Sequence, residues 1–334
     1  MLRQSKYYCP ECDEGFELPP VRSRREFLLA VGAAGVAAGL AGRGQAEEKA
    51  AKPAEGLIRE LHATLSADQK KALISPYDHG ASEGRPTRQR TFNSAFNERL
   101  IAENYTVPQR ELVQRIVRST LANDEAWERL SRKGTWDSSG SFEGCGAVLF
   151  GEPGDNSPYA FVFSGHHITL RCDGNSEPNT AWGGPVYYGH SEPGYSANNV
   201  YRYQTESVQA VFDALDEKQR AKAMAKNNND GLGGLKPTNP RHGIPYAELT
   251  AEQQQLVEKV MRTVLGPFRK EDVDEVMQIV KIGGGMDHIN LAFYKDEGMK
   301  ENQPWHFWRL EGPGFVWNYR VLPHVHCFVN IASA

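Results

Sequence analysis

The chain has 334 residues, 40% hydrophobic and 10% aromatic, with 38 Lys and Arg against 42 Asp and Glu and a formal net charge of −4. That apolar content excludes general disorder, and the charge balance leaves no electrostatic footprint for nucleic acid or anionic lipid. The length suits one large domain or two small ones around a real core.

Residues 1–46 read as an export signal. Ser23-Arg24-Arg25-Glu26-Phe27-Leu28-Leu29 resembles the twin-arginine motif, a Gly/Ala-rich apolar run covers 27–40, and Gly44-Gln45-Ala46 offers small residues where a signal peptidase cuts. The apolar run is about 14 residues, short of the ~20 a spanning helix needs, which sets the signal reading above that of a single anchor. No later segment is apolar enough to span a membrane. The mature protein is therefore expected in the periplasm or outside the cell, with the twin-arginine export machinery as a partner and no membrane contact afterwards. Cys9-Pro10-Glu11-Cys12 is half of a zinc ribbon with no second half, and one thiolate pair cannot close a tetrahedral shell. Cys145, Cys172 and Cys327 are too few for a disulfide framework, with one bridge left open.

Residues 47–56 read as a charged tether, and 57–334 as a single α+β domain. A helical pattern over 56–74 contains a capping box, Ser66-Ala67-Asp68-Gln69, in which a hydroxyl and a Gln side chain satisfy each other's orphan amides. The device recurs as Asp216-Glu217-Lys218-Gln219 and Thr250-Ala251-Glu252-Gln253, each preceded by Leu, at intervals too unequal for a solenoid. Apolar periodicity predicts further helices over 108–132, 205–226, 251–265 and 271–282, and 227–240 reads as a loop or lid. Strands fall in two blocks: 146–150, 159–172 and 186–189, then 289–294, 304–310, 315–320 and 325–331. The short links predict antiparallel meanders with helices packed on one side, an α+β fold rather than alternating βαβ units. No GxGxxG or Walker loop points to a nucleotide.

Of the ten histidines, four form two tight pairs, His166-His167 and His324-Val325-His326. Residues i and i+2 of a strand share a face, so His324 and His326 can bind one metal together. His166 and His167 project oppositely if the strand is regular. The odd positions His167, Thr169 and Arg171 form a polar row, which favours His167 as the site-facing residue, unless a bulge at Gly165 reverses the pair. Arg309 and Glu311 share a strand face. Glu311 is a candidate third ligand or general base and Arg309 an anion clamp; equally, the two read as an ion pair holding the sheet. Trp182, Tyr187, Tyr188, Trp305, Trp308 and Trp317 form either a ring-stacking wall or core. His190 and His288 are weaker candidates, and Cys145 reads as a buried small residue rather than a nucleophile.

Phe163-Ser164-Gly165-His166-His167-Ile168 and then Gly184-Pro185-Val186-Tyr187-Tyr188-Gly189-His190-Ser191-Glu192-Pro193 resemble the GHH and P-x-F-x-G-x-x-P blocks of the family called domain of unknown function 3500. Phe307-Trp308-Arg309-Leu310-Glu311-Gly312-Pro313 and His324-Val325-His326 are similar to its R-I-x-G-P and H-I-H blocks, in the right order. That family's pattern continues past H-x-H into Arg-Asp and Asp-Tyr-Gly elements, where this chain has Cys327-Phe328-Val329-Asn330. The resemblance implies the fold blocks and the choice of histidines and brings no reaction with it.

Two functions follow as expectations. The first is an exported metal-dependent hydrolase or lyase, with one divalent ion (zinc, iron or copper) held by His324, His326 and His167, with His166 beside them, and with Arg309 and Glu311 acting on a small-molecule or glycan substrate. The second is a non-catalytic exported protein that binds a glycan or small ligand.

Overall fold

The computed structural model describes residues 53–332 except 84, 155, 226–236, 296–298 and 301. The export-signal segment, Cys9 and Cys12, and most of the 227–240 loop lie outside the described residues.

Capping decides where the helices stop and start. The pattern over 56–74 is two helices, α1 (Pro53–Thr64) and α2 (Ala67–Leu73), because Ser66 is an extended N-cap. Its Oγ accepts from the Gln69 N–H at 3.2 Å while its own N–H donates to Gln69 Oε1 at 2.9 Å. Helix α1 begins inside the segment read as a tether. After the short α3 (Ile101–Asn104), the pattern over 108–132 divides into α4 (Val107–Ser119) and α5 (Asp124–Leu130), the latter capped by Asn123. Likewise 205–226 divides at Asp216 into α6 (Arg202–Ala214) and α7 (Glu217–Ala223). Helices α8 (Ala251–Leu265) and α9 (Lys270–Ile282) are continuous.

Among the described residues, ten strands form one sheet: β1 (Ile74–Ser75), β2 (Gly146–Phe150), β3 (Ala160–Gly165), β4 (Ile168–Cys172), β5 (Val186–His190), β6 (Ile244–Pro245), β7 (Asn290–Tyr294), β8 (Phe307–Glu311), β9 (Phe315–Arg320) and β10 (Val325–Ile331). Their order is β1-β2-β3-β4-β5-β10-β9-β8-β7-β6, antiparallel except for β1 on β2. The run 159–172 is a hairpin rather than one strand. Gly165 pairs with Ile168, so His166 and His167 are its turn.

That order reads the same from both edges, and the helices repeat it. Gln109 of α4 and Gln69 of α2 exchange side-chain hydrogen bonds at 2.7 and 3.2 Å; Gln253 of α8 and Gln219 of α7 do the same at 2.9 and 2.7 Å. Gln109 Nε2 donates to the last carbonyl of α1, Thr64 O, at 2.9 Å, and Gln253 Nε2 to the last carbonyl of α6, Ala214 O, at 2.7 Å. Strand β1 pairs parallel with β2, and Met224 makes a parallel bridge to Phe293 of β7. The recurrent capping boxes thus mark two copies of one α+β unit, each ending in a four-stranded meander, joined where β5 meets β10. Nothing solenoidal is involved.

The pleat separates the two faces of this sheet. One carries Ile168, Leu170, Tyr188, Cys327, Val329, Tyr319, Trp317, Leu310 and Phe293, all in the main apolar core shared with the helices. Tyr188 Oη donates to Val264 O of α8 at 2.6 Å, and Tyr319 Oη lies 3.1 Å from Thr205 Oγ1 of α6. The helices therefore pack on this side, as the α+β reading expects. The opposite face carries Thr169, Arg171, Tyr187, His326, Asn318, Arg309 and Glu311, all buried. Trp182, Tyr187, Tyr188, Trp305, Trp308 and Trp317 are at most 5% exposed, so they are interior residues and form no open stacking wall.

The Gln219–Gln253 exchange holds the C-terminal end of α6 through the Ala214 carbonyl. Gln253→Ala should cost about 1–3 kcal/mol, since it strands the Ala214 carbonyl and the Thr250 amide. Adding Gln219→Ala should cost less than the sum of the two singles because the pair shares its bonds. Urea unfolding of the cycle measures this, and additive losses would contradict the shared network.

Candidate metal centre

The β3–β4 turn is fixed at every backbone group that could move it. The His166 amide donates to Ser139 Oγ at 2.8 Å and the His167 amide to Asn93 Oδ1 at 2.8 Å. Arg132 Nη2 donates to the His166 carbonyl at 2.8 Å and the His167 carbonyl at 3.2 Å, and the Gly189 amide donates to the latter at 2.9 Å. His167 has φ +57°, a left-handed conformation uncommon outside glycine, in which histidine is among the enriched exceptions. This turn, rather than strand alternation, sends its ring across β5 toward β10.

There it meets the pair on β10. His167 Nε2 lies 3.1 Å from His324 Nε2, which lies 2.8 Å from His326 Nε2. A tetrahedral ion with bonds of about 2.1 Å separates its ligand nitrogens by roughly 3.4 Å, so a shift of a few tenths of an ångström opens the cluster to that spacing. Asp137 sets the tautomer of one ligand. Its Oδ2 is 3.0 Å from His167 Nδ1, so that nitrogen carries the proton and Nε2 turns its lone pair to the cluster. Asp137 is held in turn by the Ser191 amide at 3.0 Å and the Ser191 hydroxyl at 2.5 Å. A carboxylate behind an imidazole is the usual support of a metal-binding histidine. His167, His324 and His326 form a cluster that can hold a metal ion, and Asp137, His166 and His167 form a second such group.

Burial keeps the rings neutral, as ligation requires. It pushes His167 down to about 3, and together with the Arg320 guanidinium it pushes His324 down to about 4 and His326 well below its ordinary value. Burial raises the Asp137 carboxyl, but the facing imidazoles of His166 (3.7 Å) and His167 (3.0 Å) and the Arg132 charge outweigh it and hold the group below the usual carboxylate range. Gly189 lies beneath the rings. A Cβ there would sit 2.4 Å from the Val325 carbonyl and 3.3 Å from His326 Cδ2, so only glycine lets the two strands and the rings approach.

The structure brings His167, His324 and His326 together and leaves His166 beside Asp137. There its ring centroid lies 3.8 Å from that of His167, tilted by 45°, and its Nδ1 accepts from the Ser138 amide at 3.4 Å. It does not bring Arg309 and Glu311 to the histidines. They lie on β8, two strands from β10 and so about 10 Å away across the sheet. Glu311 Oε2 accepts from Arg309 Nε at 2.9 Å and from the Thr238 amide at 3.0 Å, while Oε1 takes the Thr238 hydroxyl at 2.5 Å and the His242 amide at 3.2 Å. This buried knot ties the 238–242 segment to the sheet. The carboxylate behind the histidines is Asp137 instead. It opens a single 3-10 turn, Asp137–Ser139, with no motif spacing to mark it; Gly189 lay within the quoted P-x-F-x-G-x-x-P block without a role assigned to it, and Arg320 carried no signal. Cys145, Cys172 and Cys327 are buried and form no disulfide among the described residues, and burial pushes the Cys145 thiol up to about 12, far from a nucleophile's range. His190 accepts from the Val200 amide at 3.3 Å on the other side of the sheet, and His288 is exposed.

The family described as "Protein of unknown function (DUF3500)" matches residues 47–330. The chain belongs to this family. The match covers both the His166-His167 turn and the strand of His324 and His326, whose imidazoles meet in one cluster in this chain. No curated protein and no solved structure matches the chain. Among the described residues, no helix is long and apolar enough to cross a membrane.

The neutral rings give a pH dependence of fixed sign. His167 and His324 titrate at 6.5 when unfolded and at about 3 and 4 when folded, so the unfolded chain binds protons that the native one refuses. Their contribution to stability is complete above pH 6.5 and is lost as the pH falls through 4 toward 3. The urea midpoint of chelator-treated protein should fall steeply across that window, and less steeply in His324→Gln. A midpoint unchanged between pH 7 and 4 would exclude buried neutral histidines.

Proposed function

We propose that the chain is an exported metalloprotein in which His167, His324 and His326 hold one divalent ion for hydrolase- or lyase-type chemistry. The observation that carries the proposal is the convergence of three buried imidazole nitrogens from opposite halves of the molecule, one of them fixed by Asp137. Such donors suit zinc, iron or copper. When bound, the ion would supply Lewis-acid polarisation of a substrate oxygen. The chain's own contribution is orientation: Asp137 holds the His167 tautomer, Ser191 and Arg132 hold Asp137, and Gly189 leaves room. Arg309 and Glu311 are assigned to tethering the 238–242 segment. The burial of the aromatic residues speaks against the glycan-binding alternative.

Metal analysis of purified protein tests this. One ion per chain is expected, absent in the His324→Ala/His326→Ala variant. Asp137→Asn should weaken retention about 10–100-fold. Glu311→Gln should leave the metal in place and lower stability by roughly 1–3 kcal/mol through the bonds it strands. A folded, metal-free wild type, or metal loss in Glu311→Gln with none in Asp137→Asn, would overturn the assignment.

We also propose export by the twin-arginine route, with cleavage near Ala46. The motif around Arg24 and Arg25 supports it, as does the start of the family match at residue 47. Replacing both arginines by lysine should retain the precursor in the cytoplasm. Undiminished export of that variant through the same machinery would refute the signal.

A further inference from the structure

The histidine cluster has a fourth member that is not a ligand. Arg320 Nη2 lies 3.2 Å from His324 Nε2 and 3.0 Å from His326 Nε2. Arg320 is held there by the sheet: it is the register partner of His326, on the same face, and its Nε donates to the His324 carbonyl at 3.4 Å. A guanidinium is always charged and has no lone pair, so it cannot ligate a metal. Each imidazole nitrogen has one lone pair, which goes either to the guanidinium or to an ion. The occupant of the cluster and Arg320 therefore compete for the same two nitrogens.

When the ion takes them, Arg320 remains tethered to β9 within a few ångströms of it, and two cations then stand side by side in a buried site. An anion would meet both, one oxygen toward the ion and another toward the guanidinium, whose planar fork suits a carboxylate or a phosphoryl group. We propose that Arg320 makes this centre select a substrate with an anionic oxygen group, a carboxylate or a phosphoryl, binding to ion and guanidinium together. This rests on the metal reading above and gives it a substrate class. It also assigns to Arg320 the anion-binding role expected of Arg309.

The test uses the mature protein loaded with cobalt(II), whose visible bands report on ligands entering its coordination shell, with azide as the probe. Arg320→Gln should take up cobalt at least as tightly as wild type, because a competitor is gone, and should bind azide about tenfold or more weakly, the loss of one charge-assisted contact. Acetate and inorganic phosphate are then competed against azide in the wild type, and the stronger competitor tells carboxylate from phosphoryl. If Arg320→Gln does not fold, Arg320→Lys decides, since it keeps the charge and loses the fork: acetate should weaken more than azide. Equal azide affinity in wild type and Arg320→Gln, weakened cobalt uptake by a folded Arg320→Gln, or unaltered acetate affinity in Arg320→Lys overturns the proposal. A wild type that takes up no cobalt overturns the metal reading, and this one with it. A wild type that takes up cobalt and ignores azide overturns this one alone.

Discussion

The antiparallel pairing of β5 with β10, from His190 against Val325 to Val186 against Val329, is the seam on which the candidate site depends. It joins the two repeated units, and it lays the H-x-H strand of the second unit next to the strands of the first. Because the side-chain period of a strand is two, this register puts His326 opposite Gly189 and on the polar face; a slip by one residue would turn both histidines into the apolar core. Gly189 permits the seam to close under the rings. The hairpin turn of β3 and β4 then needs only to lean over β5, and five backbone hydrogen bonds hold it in that position.

Duplication explains why the site is lopsided. In the first unit the turn between the second and third strands of the meander is His166-His167, following Gly165; in the second it is Pro313-Gly314, following Gly312, where the Gly312 amide donates to Phe315 O at 3.0 Å. The two turns occupy corresponding places, and only one carries imidazoles. Likewise only β10 among the two central strands begins with H-x-H. The fold offers two equivalent positions, and this chain equips one. Both turns keep the same backbone tie, the Ala332 amide to Gly314 O at 3.1 Å and the Gly189 amide to His167 O at 2.9 Å, so the difference lies in the side chains. Such asymmetry is expected of function grafted on a scaffold, since packing alone would treat both turns alike.

Much of this was legible in the sequence, for identifiable reasons. Strands β2, β9 and β10 and helix α8 have the bounds that periodicity and turn residues predict, because their apolar pattern and their burial agree. Helices split wherever a capping box interrupts an otherwise unbroken apolar stripe, as at Ser66 and Asp216; periodicity reports the stripe and is blind to the break. The hairpin within 159–172 was hidden because His166-His167 lacks the Gly or Asn that usually marks a two-residue turn. His167 was chosen by an alternation argument that the turn makes irrelevant, and its left-handed backbone brings the ring to the same place. Arg309 and Glu311 were attractive because they lie near H-x-H along the chain, but β9 separates them from it in the sheet. Asp137 was invisible: a carboxylate that acts through a fold-made contact to a residue thirty positions on leaves no spacing to read.

The polar face also shows how burial is put to use. Removing imidazoles from water makes their charged forms unfavourable, and on an ordinary surface that would be a cost without return. Here the neutral ring is the form that can donate a lone pair, so the burial that strains the fold in acid also readies the ligands. Asp137 works in the opposite sense. Arg132, His166 and His167 keep it ionised in spite of burial, and an ionised carboxylate is what holds the proton on His167 Nδ1 and off Nε2. Arg320 completes the arrangement by placing a fixed positive charge where a second positive charge would enter. A site built only for stability would gain little from setting a guanidinium against the imidazoles of His324 and His326 when an apolar residue of similar volume would pack without conflict. An anion entering with a metal would meet that charge, which is the arrangement the proposed function calls for.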